Sequence, residues 1–102
     1  MKRIDIDPLA SVGTGFLFVQ TPFCGTCQLA SKMLATIEKM DSDINFYEMN
    51  ASLFPEFMQN QRVESVPCLI ILQSGVVKEK IYAFRSIPNI IERITPYLSR
   101  EK

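Results

Sequence analysis

Histidine is missing from all 102 residues. Its absence excludes Cys/His nucleophilic catalysis and the zinc sites that rely on imidazole. Net charge is missing too. Eleven basic residues balance 11 acidic ones with no long run of one sign, so no field gathers nucleic acid or an anionic membrane surface. Apolar runs are of strand length, well short of the ~20 residues of a membrane helix, so no membrane partner is expected. Asp5 and Asp7 interrupt any apolar region after Met1-Lys2-Arg3, so no secretory leader is expected. Cysteine is scarce, three in all, and an odd count suits a reducing compartment better than a secreted disulfide framework; the expected location is cytoplasmic. What remains is a chain of one domain's usual length with 47% hydrophobic content, ample for a core, and residues 1–102 are expected to form one domain.

Within that chain, Phe23-Cys24-Gly25-Thr26-Cys27 carries the chemistry. It lies where an apolar run gives way to an amphipathic pattern, which sets Cys24 at the start of a helix and Cys27 one turn on, on the same face. Unpaired backbone N–H groups and the positive end of the helix dipole there favour thiolate over thiol. Such a dithiol closes a tight disulfide, or attacks a foreign one through Cys24 and is released by Cys27. A thiol-disulfide oxidoreductase is therefore expected. Two other readings stand beside it. The cysteines are buried structural thiols, or they hold metal, with Cys68 as a third ligand and a carboxylate as the fourth, or in a cluster shared between two chains.

Along the chain, Ile4-Asp5-Ile6 alternates like an edge strand, and Asp7-Pro8 starts a brief helix. Phe16-Leu17-Phe18-Val19 reads as a central strand buried on both faces. Leu29, Ala30, Met33, Leu34, Ile37 and Met40 step by three and four, which predicts a helix from Cys24 to Met40 with these residues on its packing face. Asp41-Ser42-Asp43 stops it, and Ile44 to Met49 forms a second strand, parallel to the first through a right-handed crossover. Leu53 to Asn60 is a short helix with Pro55 in its first turn. Cys68 to Leu72 and Val76 to Phe84 form a hairpin about Ser74-Gly75, with Lys78-Glu79-Lys80 on its solvated side. A last amphipathic helix steps through Ile87, Ile90, Ile91, Ile94, Tyr97 and Leu98, and Pro96, which removes a helix hydrogen bond, predicts a kink or an end near Thr95.

Three landmarks coincide: an apolar strand before the dithiol, an amphipathic helix after it, and Ser65-Val66-Pro67 before a strand, hairpin and helix ending. Together, over nearly the whole chain, they resemble the thioredoxin family. The resemblance implies an α/β thioredoxin fold, with a central mixed β-sheet flanked by α-helices on both faces, and a cis Val66-Pro67 bond whose loop faces the dithiol. By the same resemblance, Cys24 attacks, Cys27 resolves, and Phe23, Gly25, Thr26, Val66 and Pro67 meet the substrate. No bound cofactor is needed. Clients are disulfide-containing proteins, and a flavin-dependent thioredoxin reductase recharges the dithiol. Bringing a cysteine from ~8.5 to the ~7 of thioredoxin takes roughly 2 kcal/mol. A helix N-terminus supplies about 0.3–1 kcal/mol, rising to ~2 when partly buried, so about one hydrogen bond completes the shift.

Departures from the family pattern narrow the expectation. Phe23 replaces the usual tryptophan, and Thr26 the proline between the cysteines, which predicts a less reducing dithiol than in thioredoxin itself. Phe18 stands where the family buries an aspartate and Phe46 where it has a lysine, so water is left to deprotonate Cys27. Tyr82 occupies the place of a substrate-facing glycine and crowds the groove, and the first helix is a single turn or absent. Cys68 is either a small apolar strand residue or a third redox thiol. The alternatives to a protein-disulfide reductase are two. One is a glutaredoxin-like, glutathione-coupled enzyme, suggested by Ser65-Val66-Pro67 but lacking a following Gly-Gly and Asp segment. The other is a binding module that keeps the fold with weak redox turnover.

Overall fold

Phe16 to Val19 has no polar face because it needs none: it lies at the centre of a five-stranded sheet, buried on both sides. The computed structural model describes residues 1–98. Its elements in chain order are β1 (Lys2–Arg3), α1 (Pro8–Val12), β2 (Gly15–Gln20), α2 (Gly25–Met40), β3 (Phe46–Asn50), α3 (Pro55–Asn60), β4 (Cys68–Gln73), β5 (Val76–Ile81) and α4 (Ile87–Ile94), with 3-10 turns at Ala51–Leu53 and Thr95–Tyr97. The sheet order is β1-β3-β2-β4-β5. β1 and β2 run parallel to β3, with Leu17 opposite Tyr47; β4 runs antiparallel to β2, and β5 antiparallel to β4.

Strand alternation sorts the side chains into two layers. Phe16 and Phe18 join Phe46, Leu69 and Ile71 beneath α2 and α4, which contribute Ala30, Leu34, Ile37, Ile90 and Ile94. Leu17 and Val19 face the other way, with Met49, Cys68 and Ile70, onto Val12 of α1 and Phe57 of α3. Helices thus cover both faces of a mixed sheet, the expected α/β arrangement.

Local chemistry explains the boundaries. Asp7 caps α1 by accepting from the Ala10 N–H at 3.4 Å, with Pro8 in the first turn. Ser86 caps α4 by accepting from the Asn89 N–H at 3.1 Å. Pro96 ends that α-helix at Ile94, and the chain tightens into its last 3-10 turn. Ser74 and Gly75 both have positive φ, 52° and 76°, the pattern of a type I′ hairpin turn.

Several expected boundaries move. The edge strand is Lys2–Arg3, not Ile4 to Ile6: Ile4 keeps one bond to the Glu48 carbonyl at 2.8 Å, after which Asp7 turns the chain with φ 34°. β3 begins at Phe46, because the Ile44 N–H bonds the Asp41 carbonyl at 3.0 Å and holds Ile44 in the preceding turn. Leu53 to Asn60 is not one helix; Phe54, which precedes Pro55, is driven out of helical geometry and separates the 3-10 turn from α3. β5 stops at Ile81 instead of Phe84. On α2, Leu29 and Met40 are 64% and 62% exposed, so the packing face is narrower than the spacing predicted.

Candidate active site

Topology brings two segments to one end of the sheet. β2 ends at Gln20 and delivers Thr21 to Phe23 there, and β4 begins at Cys68, opposite Val19. The Val66-Pro67 bond just before Cys68 is cis, as the resemblance implied. Pro67 and Thr26 line the same cavity, which places the two segments side by side.

Cys24 is the N-cap of α2, with extended backbone, and its Sγ accepts from the Cys27 N–H at 3.1 Å. The Thr26 Oγ1 lies 3.4 Å from the same sulfur. Cys24 and Cys27 are joined as a disulfide, their Cα atoms 5.1 Å apart. They differ in access. Cys24 is half-buried, whereas Cys27 is fully buried, so a foreign sulfur can reach only the first. Phe23, beside it, is 100% exposed.

Beneath the disulfide the chain is apolar. Phe18 and Phe46 are fully buried; Phe18 meets Phe84 edge to face at 5.9 Å, and Phe46 tilts against Phe16 at the same distance. Among the described residues no polar or charged side chain is buried, so Cys27 has no internal base.

A cavity of about 360 Å³ opens one turn along α2, between Thr26, Leu29 and Met33 on one side and Pro67, Tyr82 and Phe84 on the other. Tyr82 does stand in the groove, as a wall. Its hydroxyl accepts from the Glu64 N–H at 3.2 Å. Partial burial holds the phenol above its ordinary value, against the Glu64 N–H, which favours the phenolate. A larger hollow of about 490 Å³ lies between α1 and α3 and contains no cysteine.

Cys68 is fully buried in the core under α1 and α3. Burial pushes its thiol from 9.0 up to about 12, although the Tyr82 hydroxyl and Lys80 both favour the thiolate. Neither access nor charge suits a reacting sulfur. Among the described residues, no three Cys, Asp or Glu side chains gather where they could hold a metal.

The structure thus gathers Phe23, Cys24, Gly25, Thr26 and Cys27 at one helix start, and brings Pro67 to them. Val66 turns its side chain into the core under α1 and α3. Sequence reasoning missed Leu29, Met33 and Phe84 as cavity walls. The signal for Leu29 was open to view, because it lies only two residues past Cys27, but helical spacing assigned it to the packing face.

A family model described as Thioredoxin matches residues 16–95. Over 78 residues the chain is 45% identical to the thioredoxin-like protein YusE of Bacillus subtilis, covering 76% of this chain and 74% of that one. Among solved structures, the thioredoxin of Malassezia sympodialis superposes with a TM-score of 0.81 at 14% identity, over 97% of this chain and 91% of the other. A mutant thioredoxin from Halobacterium salinarum superposes with a TM-score of 0.79 at 15% identity, over 99% and 93%. At such low identity the two structures bear on the fold alone.

Proposed function

The chain belongs to the thioredoxin family, and from that premise we propose that it reduces disulfides in client proteins, with Cys24 as nucleophile and Cys27 as resolving thiol. The observation that carries this reading is the asymmetric pair at the start of α2: a reachable sulfur, held by a backbone N–H, bonded to one that no client can touch.

The reaction is two exchanges. The Cys24 thiolate attacks one sulfur of the client disulfide, whose S–S bond breaks, and the departing client thiolate takes up a proton. Cys27 then loses its proton to water or to that thiolate and attacks Cys24 Sγ, releasing the second client thiol and leaving the Cys24–Cys27 disulfide. Two electrons pass from this chain to the client. The Cys27 N–H and the Thr26 hydroxyl both donate to the Cys24 thiolate. Phe23, Gly25 and Thr26 meet the client on one side, and the Val66-Pro67 segment pairs with its backbone on the other. Cys68 takes no part, because it stays protonated and enclosed.

In this reading residues 1–102 form one thioredoxin-like domain that works in the cytoplasm, where a thioredoxin reductase returns the electrons. No helix among the described residues is long and apolar enough to cross a membrane. A binding module with slow turnover is the second reading, favoured by Phe18 and Phe46, which leave Cys27 without a base.

Equilibration in defined thiol-disulfide buffers, with free thiols trapped and counted by mass, tests the proposal. A reversible two-electron transition near the roughly −270 mV of thioredoxin supports it, whereas one near or above roughly −200 mV points to glutathione coupling, isomerisation or oxidation. No reversible transition leaves the binding module. Turnover with glutathione and glutathione reductase, but none with thioredoxin reductase, transfers the reading to a glutaredoxin-like enzyme.

A further inference from the structure

The segment from Gln61 to Pro67 has no regular structure of its own, lying between the end of α3 and the start of β4. Its first residues are tied to α3, through Arg62 N–H to the Gln59 carbonyl at 3.2 Å and Val63 N–H to the Met58 carbonyl at 2.9 Å. Its far end is held from another quarter. Ile81 pairs with Leu69, so Tyr82, the next residue, leaves the sheet beside Cys68. From there its hydroxyl accepts from the Glu64 N–H at 3.2 Å, two residues before Val66. Two residues back on the same side of the strand, Lys80 Nζ donates to the Arg62 carbonyl at 3.2 Å.

We propose that Tyr82 and Lys80 form a side-chain clamp that sets the position of the Val66-Pro67 segment relative to Cys24, making both positioning residues for client binding. This rests on the reading of the chain as a protein-disulfide reductase. The two halves of that site are anchored separately. Cys24 is fixed by α2, through Ala30 and Leu34 packed on the sheet, whereas the opposing segment is fixed by the end of β5. A client that spans both halves senses their separation; a small disulfide that touches only the sulfur does not.

The test compares wild type, Tyr82→Phe and Lys80→Met, with dithiothreitol as electron donor and either insulin or hydroxyethyl disulfide as oxidant. Amide exchange at Glu64 is followed in parallel. Removing either hydrogen bond, the neutral one at Tyr82 or the solvent-exposed one at Lys80, is expected to raise KM for insulin about two- to tenfold. The kcat should stay within about twofold, the mark of lost binding shared by ground and transition states. The ratio of insulin to hydroxyethyl disulfide kcat/KM should fall by the same factor, and the Glu64 amide should exchange faster in Tyr82→Phe. Faster exchange with an unchanged KM overturns the clamp's role in binding. Unchanged exchange overturns the clamp itself. A wild type that reduces neither disulfide, with Glu64 protected as before, removes the parent reading and this proposal with it, and is told apart by the failure of the unaltered protein.

Discussion

Replacing Thr26 by valine keeps the shape of the side chain and removes its hydroxyl, which lies 3.4 Å from the Cys24 sulfur. In the reduced protein that hydroxyl donates to a thiolate, and hydrogen bonds to charged groups contribute about 1.5–3 kcal/mol. The contact is long, 3.4 Å, and exposed, so about half of that is appropriate, roughly 0.7–1.5 kcal/mol. Stabilising the reduced form raises the potential, and 30 mV corresponds to about 1.4 kcal/mol for two electrons. Thr26→Val should therefore lower the Cys24/Cys27 potential by about 15–30 mV and make the dithiol more reducing. The difference needs an ionised sulfur, so it should vanish at low pH and grow as pH rises. Thr26→Ser, which keeps the hydroxyl, should match wild type. Equilibration with dithiothreitol and thiol counting from pH 6 to 9 gives the answer. Equal potentials for Thr26→Val and wild type at pH 9 would refute the argument. An equal shift in Thr26→Ser, which keeps the hydroxyl, would show that the hydroxyl is not the cause.

Phe18→Ala should destabilise the protein by about 3–5 kcal/mol, because it empties a fully buried site and removes the edge contact with Phe84; urea unfolding that gives less than about 1 kcal/mol would show that the core collapses to fill it. The Cys68 thiol, pushed up to about 12 when folded, keeps its proton while the unfolded chain loses it above about 9. The unfolded state then binds fewer protons, so this group's contribution is complete below pH 9 and falls by up to about 1.4 kcal/mol per pH unit above it. Cys68→Ala should flatten that alkaline loss in denaturant titrations, and folded wild type should resist alkylation at Cys68 at pH 8. An unchanged slope, or rapid labelling of Cys68, would contradict its enclosure.

Much of this architecture was legible because it is written in short-range signals. Phe16 to Val19 read as a strand buried on both faces, Asp7-Pro8 as a helix start, and Pro96 as a kink or an end. The Cys24-to-Cys27 spacing at a strand-to-helix junction pointed to the site, and Ser65-Val66-Pro67 supplied its opposite rim. What escaped depends on partners far along the chain. Nothing near Ile4 says that pairing with β3 belongs to Lys2 and Arg3, and nothing near Phe84 says that it leaves the sheet to pack on Phe18. Helical spacing put Leu29 and Met40 on the buried face, but Leu29 lies off the line of Cys27, Ala30, Leu34 and Ile37 that is buried, and Met40 is the last residue of the 16-residue helix. The Tyr82 hydroxyl spans 18 residues to reach Glu64, a relation that no local pattern encodes.

The most direct test of the central claim is to trap the first exchange. Cys27→Ser is mixed with insulin, and the adducts are mapped by mass spectrometry alongside Cys24→Ser and wild type. The account predicts a stable mixed disulfide on Cys24 in Cys27→Ser, none in Cys24→Ser, and, once dithiothreitol is added as electron donor, multiple turnover only in wild type. An adduct on Cys27 or Cys68, or insulin reduction that persists in Cys24→Ser, would contradict it.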